Sequence, residues 1–267
     1  FRKRLVSILD ELIEYMEKEP EYRYFHLDGQ TVVLEDYLKI RPENESRLRN
    51  LIKHGRIIIG PWYVMPDEFL VSGESLVRNM QKGFVISHSY GVEPMKCGYV
   101  VDIFGHNSQI QQILQGFGID SAILFRGMGD YPKDAFRWIA ENGSSVLAVR
   151  LDEDRCYSNF YFAIRWPFAG REYEREELVS RMRELLEYNQ TRRVSDNMLM
   201  MDGVDHIGIE KRLPEIISIL NEDITEIELV HSTLEDFIRS QKQFYSSLDS
   251  IKGELYKLGH KGVNNWL

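Results

Sequence analysis

A short apolar run, a carboxylate, an aromatic, a glycine and a helix start follow one another at Gly98-Tyr99-Val100-Val101-Asp102-Ile103-Phe104-Gly105-His106-Asn107-Ser108-Gln109. Tyr99, Val100 and Val101 have the aromatic and β-branched character of a buried strand. Ser108 with Gln111 three residues on is a capping-box pattern, and Asn107 is an alternative cap. Ile110, Ile113, Leu114 and Phe117 recur at helical spacing, and Gly118 stands where that helix should stop. A strand that ends on a carboxylate and feeds directly into a helix is the unit of a parallel α/β sheet, whose ligands sit at the C-terminal strand ends. Asp102 stands at such an end; the same position equally suits an aspartate that only caps a loop.

The remainder of the chain repeats the alternation. Strands are expected near residues 24–28, 56–60, 121–125, 146–151, 197–203 and 227–230, which with the Asp102 strand makes seven. Between them, Leu5, Ile8, Leu9, Leu12, Ile13 and Met16 form one face of a first helix. Two helical pieces broken at Pro42 fill residues 33–54. Further helices are expected over residues 72–90, 172–190, 208–221 and 233–241, the last opened by a Ser232–Glu235 capping box. This order argues for an α/β domain with a mostly parallel sheet or barrel. Four expected strand ends carry groups fit for chemistry or ligand binding: Trp62, Asp102, Arg126 and Asp205.

Charge and cysteine usage exclude other classes. A formal charge of -9 opposes nucleic-acid binding, which draws on clustered lysine and arginine. No apolar run reaches the ~20 residues of a membrane helix. Cys97 and Cys156 are the only cysteines, so a reducing, cytoplasmic compartment is the expectation rather than a disulfide framework. The chain opens on a helix face without a cap and closes on apolar residues without a turn signal, so both ends read as cut from something longer.

The residue order also resembles the glycoside hydrolase family 38 α-mannosidases. Their aspartate-x-Phe-Gly-His signature is matched at Asp102-Ile103-Phe104-Gly105-His106, with Gln109 at the helix that follows. A second match is Gly60-Pro61-Trp62-Tyr63-Val64-Met65-Pro66-Asp67-Glu68, continuing to Gly73-Glu74-Ser75-Leu76-Val77-Arg78. A third is Ile123-Leu124-Phe125-Arg126-Gly127, and Phe136-Arg137-Trp138 and Gly143-Ser144 are similar to bacterial members. The likeness runs in one order through most of the chain.

The resemblance implies a seven-stranded β/α barrel-like catalytic domain of the glycoside hydrolase/deacetylase type at residues 1–245, its first strand ahead of the chain, and the start of a helical bundle at 246–267. It implies a retaining, zinc-dependent α-mannosidase acting on a mannose-containing oligosaccharide or glycan, with homo-oligomers among its relatives. Asp102 would be the nucleophile and Asp205 the acid/base. Asp202 is the competitor for the second role, and helix capping is the plain alternative for Asp205. Of the family's zinc ligands only Asp102 falls in this chain. His26-Leu27-Asp28 mimics the family's His-x-Asp motif, but it stands on the second expected strand, where relatives carry a non-ligand segment. His106 would support the loop after the nucleophile; His206 and His260 default to structure. Trp62 and Phe104 are candidate apolar walls for the sugar, and Trp62 fits an ordinary core equally well. Arg126 would bind a substrate hydroxyl or hold Asp102 ionised, or else pair with Asp67 or Glu68. Two rivals stay open: a metal-dependent polysaccharide deacetylase, although no His-x-x-x-His occurs, and a non-catalytic carbohydrate-binding domain.

Overall fold

The structure, a computed structural model, describes residues 2–129, 131–152 and 154–256. Helix α1 (Arg2–Lys18) forms along the expected face and buries Val6, Leu9, Leu12, Ile13 and Met16. Strands β1 (Phe25–His26) and β2 (Ile57–Ile58) make a short parallel pair. Helices α2 (Val32–Leu38) and α3 (Glu45–Lys53) lie between them in sequence, separated by a turn at Pro42. Helix α4 (Gly73–Ser89) starts where the Ser72 hydroxyl accepts from the Ser75 amide.

The larger sheet holds five strands: β3 (Gly98–Val100), β4 (Ser121–Leu124), β5 (Ala135–Ile139), β6 (Ser145–Arg150) and β7 (Ser250–Lys252), ordered β3-β4-β6-β5-β7. β3, β4 and β6 are mutually parallel, and β5 runs antiparallel to β6. Both faces of this sheet are covered. Val100, Ala122, Leu124, Phe136 and Trp138 pack with Leu76 and Met80 of α4 and with α5 (Ile110–Gly116), while Tyr99, Val101, Ile123, Leu147 and Val149 pack toward α8 (Leu234–Lys242). Alternation along each strand divides the residues between the two faces. A third cluster joins α1, α2 and α3 to α6 (Arg175–Asn189) and α7 (Leu213–Asp223). No helix among the described residues is long and apolar enough to cross a membrane.

Several expectations need correction. The seven strands fall into separate sheets of two and five, not one closed barrel. Residues 197–203 and 227–230 are not strands, because side-chain amides take up their backbone groups instead of a neighbouring chain. Asn159 accepts from the Met201 amide at 2.6 Å and donates to the Leu199 carbonyl at 3.0 Å. Asn221 does the same at Leu229, accepting at 2.7 Å and donating at 2.9 Å. β5 and β7 take their places in the count. α5 is entered through Asn107, whose side chain accepts from the Gln109 amide, rather than through Ser108. α8 is capped by Thr233, which accepts from the Asp236 amide, and Glu235 instead accepts from the Lys96 amide. β7 lies where a helical domain was expected to begin, and residues 257–267 are outside the described residues.

One consequence concerns pH. His26 accepts a hydrogen bond from the Leu234 amide through Nε2, and burial, with His231 nearby, pushes its imidazole down to about 4. The ring is neutral in the fold and takes a proton in the unfolded chain below about 6.5. Its contribution is therefore complete above pH ~6.5 and is lost as pH falls towards 4, by roughly 2–3 kcal/mol. Thermal melts across this window should show the loss in the unaltered chain and a flatter profile in His26→Gln, whose amide oxygen can still accept from Leu234.

Candidate active site

Strand register gathers the site. Asp28, Asp102, Arg126 and Asp152 each stand two residues past the last residue of β1, β3, β4 and β6. Because Val100 pairs with Leu124, residues 102 and 126 emerge side by side, and the Arg126 amide reaches the Val101 carbonyl at 3.4 Å. The Arg126 guanidinium donates through Nε to the Asp102 carboxylate. It lies 5.4 Å from the Phe104 ring and 5.3 Å from the Phe125 ring, flanked by both. The Asp102 side chain is 40% exposed and that of Arg126 34%, so the pair faces open solvent.

Tyr157 brings in the second carboxylate. Its hydroxyl donates to Asp205 at 3.1 Å, and its ring meets Phe125 edge-on at 6.0 Å. Burial, then the charges of Asp102 and Asp205, push the phenol well above its ordinary range. Asp28 joins the same group. It opens to solvent at the rim but is backed by protein, and its carboxyl is pushed up to about 6. Burial is the main cause; hydrogen bonds from Gln30 and Tyr99 oppose it, and the charges of Asp205 and Asp102 add to it. Asp28, Cys156 and His206 are the non-glycine residues with left-handed backbone among those described, at φ 47, 50 and 68. All three are at or next to these groups, which is where such conformations concentrate in working sites.

The competing residues are occupied elsewhere. Asp202 pairs with Arg165 at 2.7 Å, leaving its side chain 16% exposed. Asp205 does not cap α7, which begins at Leu213 after Arg212. Trp62 is core and not a wall of the cleft. It is 0% exposed, packs in the cluster with Leu76 and Val100, and donates through Nε1 to the Tyr99 carbonyl at 3.0 Å. Arg126 does not pair with Asp67 or Glu68. The Glu68 carboxylate instead meets His106 at 3.0 Å and accepts from the Asn107 amide at 2.7 Å. His260 lies outside the described residues.

A zinc site needs about four ligands, and no group of three or more His, Cys, Asp or Glu suited to a metal ion gathers among the described residues. His26, the decoy ligand, already has Nε2 committed to Leu234. Asp102 belongs to no such group of three, so the described residues do not by themselves complete a zinc site.

Sequence reasoning missed Tyr157, Asp28 as a member of the site, and Glu68. Asp28 was open to detection as a strand-end carboxylate. Tyr157 gave no signal, since it sits in an irregular segment seven residues past β6.

Asp102 and Arg126, just past the C-terminal ends of parallel strands, and Asp205, held by Tyr157 in irregular segments, put two carboxylates, an arginine and a phenol together, the group types that glycosidic cleavage uses. Comparison with known proteins agrees. Residues 1–256 match the family model described as the glycosyl hydrolases family 38 N-terminal domain. A putative mannosylglycerate hydrolase of Halalkalibacterium halodurans is 32% identical, over 95% of this chain and 29% of that protein. An α-mannosidase structure from Enterococcus faecalis V583 superposes with a TM-score of 0.87 at 30% identity, covering 95% of this chain and 28% of that one. Another Enterococcus faecalis family 38 structure gives 0.76 at 27% identity, covering 94% and 26%. The chain therefore belongs to glycosyl hydrolase family 38, to whose N-terminal domain it corresponds. It spans less than a third of the length of these relatives.

Proposed function

We propose that this domain carries the chemistry of a retaining α-mannosidase that removes terminal α-linked mannose from an oligosaccharide or glycan. The observation that supports it best is the Arg126-bound Asp102 carboxylate, open to solvent, with the Tyr157-bound Asp205 carboxylate acting on the same phenol. Asp102 attacks the anomeric carbon while the bond to the leaving oxygen breaks, and Asp205 gives that oxygen its proton. Asp205 then takes a proton from water, whose oxygen displaces Asp102 and releases mannose. Arg126 orients Asp102, and Tyr157 orients Asp205. Phe104 offers its ring to the C–H face of the sugar. A zinc ion with Asp102 as one ligand and the others from elsewhere in the protein belongs to the same proposal. So do a homo-oligomeric assembly and, on cysteine usage alone, a cytoplasmic location.

The test is hydrolysis of an aryl α-mannoside by the full-length protein, followed by proton NMR, with and without a chelator. Mannose formed first as the α anomer, and lost on chelation, is the expected result. First formation of the β anomer would mean inversion and a different use of the two carboxylates. Binding without any release of mannose would favour a carbohydrate-binding domain.

A further inference from the structure

Glu68 and His106 are fully buried, each with a side chain 0% exposed. Their polar atoms are satisfied as a closed set. Glu68 Oε1 meets His106 Nδ1 at 3.0 Å, and Glu68 Oε2 accepts from the Asn107 amide at 2.7 Å. His106 Nε2 lies 2.9 Å from the Arg126 carbonyl. A carbonyl only accepts, so Nε2 carries a proton and donates it. The His106 backbone is held as well, exchanging hydrogen bonds with Leu255 at 2.7 and 2.9 Å, and Trp138 meets its ring edge-on at 5.9 Å. The pair thus clamps three segments: the one after Trp62, the loop that begins at Asp102, and the main chain of Arg126.

We propose that Glu68 and His106 are positioning residues, which fix the Arg126 guanidinium against the Asp102 carboxylate by holding the two loops at one spacing. This rests on the reading of Asp102 as nucleophile. The connection is direct, since the carbonyl gripped by His106 belongs to the residue whose side chain grips Asp102. Geometry rather than charge is what the clamp supplies. With glutamine at position 68, the amide oxygen accepts from Asn107 and the amide nitrogen donates to an unprotonated His106 Nδ1, while Nε2 still donates to Arg126. Every polar atom again has a partner. With alanine, Asn107 and His106 each lose theirs.

The experiment measures kcat and KM of the full-length protein on an aryl α-mannoside for Glu68→Ala, Glu68→Gln and Glu68→Asp, with Asp102→Ala alongside and circular dichroism melts of each. Glu68→Ala should lower kcat by roughly 100-fold with KM within about threefold, the scale of a misplaced reacting group, and Glu68→Gln should stay within about threefold of the unaltered enzyme. Should Glu68→Ala fail to fold, Glu68→Asp decides: one methylene shorter, it should fold and lose kcat at least tenfold with KM unchanged. A folded Glu68→Ala or Glu68→Asp with full kcat would overturn the proposal, as would a loss in Glu68→Gln equal to that in Glu68→Ala. If Asp102→Ala is inactive while Glu68→Ala is fully active, positioning fails alone. Turnover retained in Asp102→Ala overturns the nucleophile reading and the positioning with it.

Discussion

Replacing Asp102 by alanine should lower kcat on the aryl α-mannoside by on the order of 10⁴-fold or more, the scale expected when a covalent nucleophile is removed. The loss should hold for good and poor leaving groups alike, because no leaving group substitutes for the missing bond to the anomeric carbon. Added azide should restore turnover by attacking from the side Asp102 leaves empty, giving the β-mannosyl azide. Asp205→Ala should behave differently. Its mannosylation step should persist with an activated phenol as leaving group and fall steeply with a poor one, and azide should then give the α-mannosyl azide. Kinetics across a series of phenols, with NMR of the azide products, checks both. Equal leaving-group dependence in the two variants would remove the division of roles.

The second large effect is structural. Gly127 sits at φ +71, and a Cβ there would lie 2.3 Å from the Gly105 amide nitrogen and 2.4 Å from its Cα. These are backbone atoms of the loop that carries Asp102, so no side chain can swing aside to make room. Gly118, at φ +70, has nothing within 4 Å of its Cβ position. Gly118→Ala should cost only the left-handed backbone penalty, about 1 kcal/mol. Gly127→Ala should cost roughly 3 kcal/mol or more, because the clash adds to that penalty. It should also reduce kcat far more than Gly118→Ala, since the two loops that must separate hold Asp102 and Arg126. Denaturant unfolding and kinetics of the two alanine variants give the comparison.

The site was legible where a single strand carried its evidence. Asp102 and Arg126 each follow an apolar run ending in a chemically apt residue, and the parallel register then brings them together without further instruction. Trp62 shows the limit of that rule: an aromatic just past a strand reads the same whether it faces a sugar or the core, and only its full burial and its indole bond to Tyr99 separate the two. The false strands at 197–203 and 227–230 have strand-like composition, but Asn159 bonds Met201 from 42 positions away and Asn221 bonds Leu229 from 8 positions away. Composition within a window does not register a partner of that kind. β5 was hidden differently. Phe136 and Trp138 alternate with Arg137 ahead of the Asn142-Gly143 turn, a hairpin pattern in full view, but its antiparallel sense conflicts with the repeating parallel alternation around it. Glu68 and His106 depend on a contact between residues 38 apart, and nothing local in either segment announces it.

In the proposed mechanism Asp102 bonds covalently to the sugar. The most direct measurement is mass spectrometry of peptides from the full-length protein after reaction with a slowly turned-over fluorinated mannosyl fluoride. A mannosyl adduct on the peptide bearing Asp102, absent from Asp102→Ala, is the predicted result. An adduct on another carboxylate, or first-order loss of substrate with no adduct on any peptide, would contradict it.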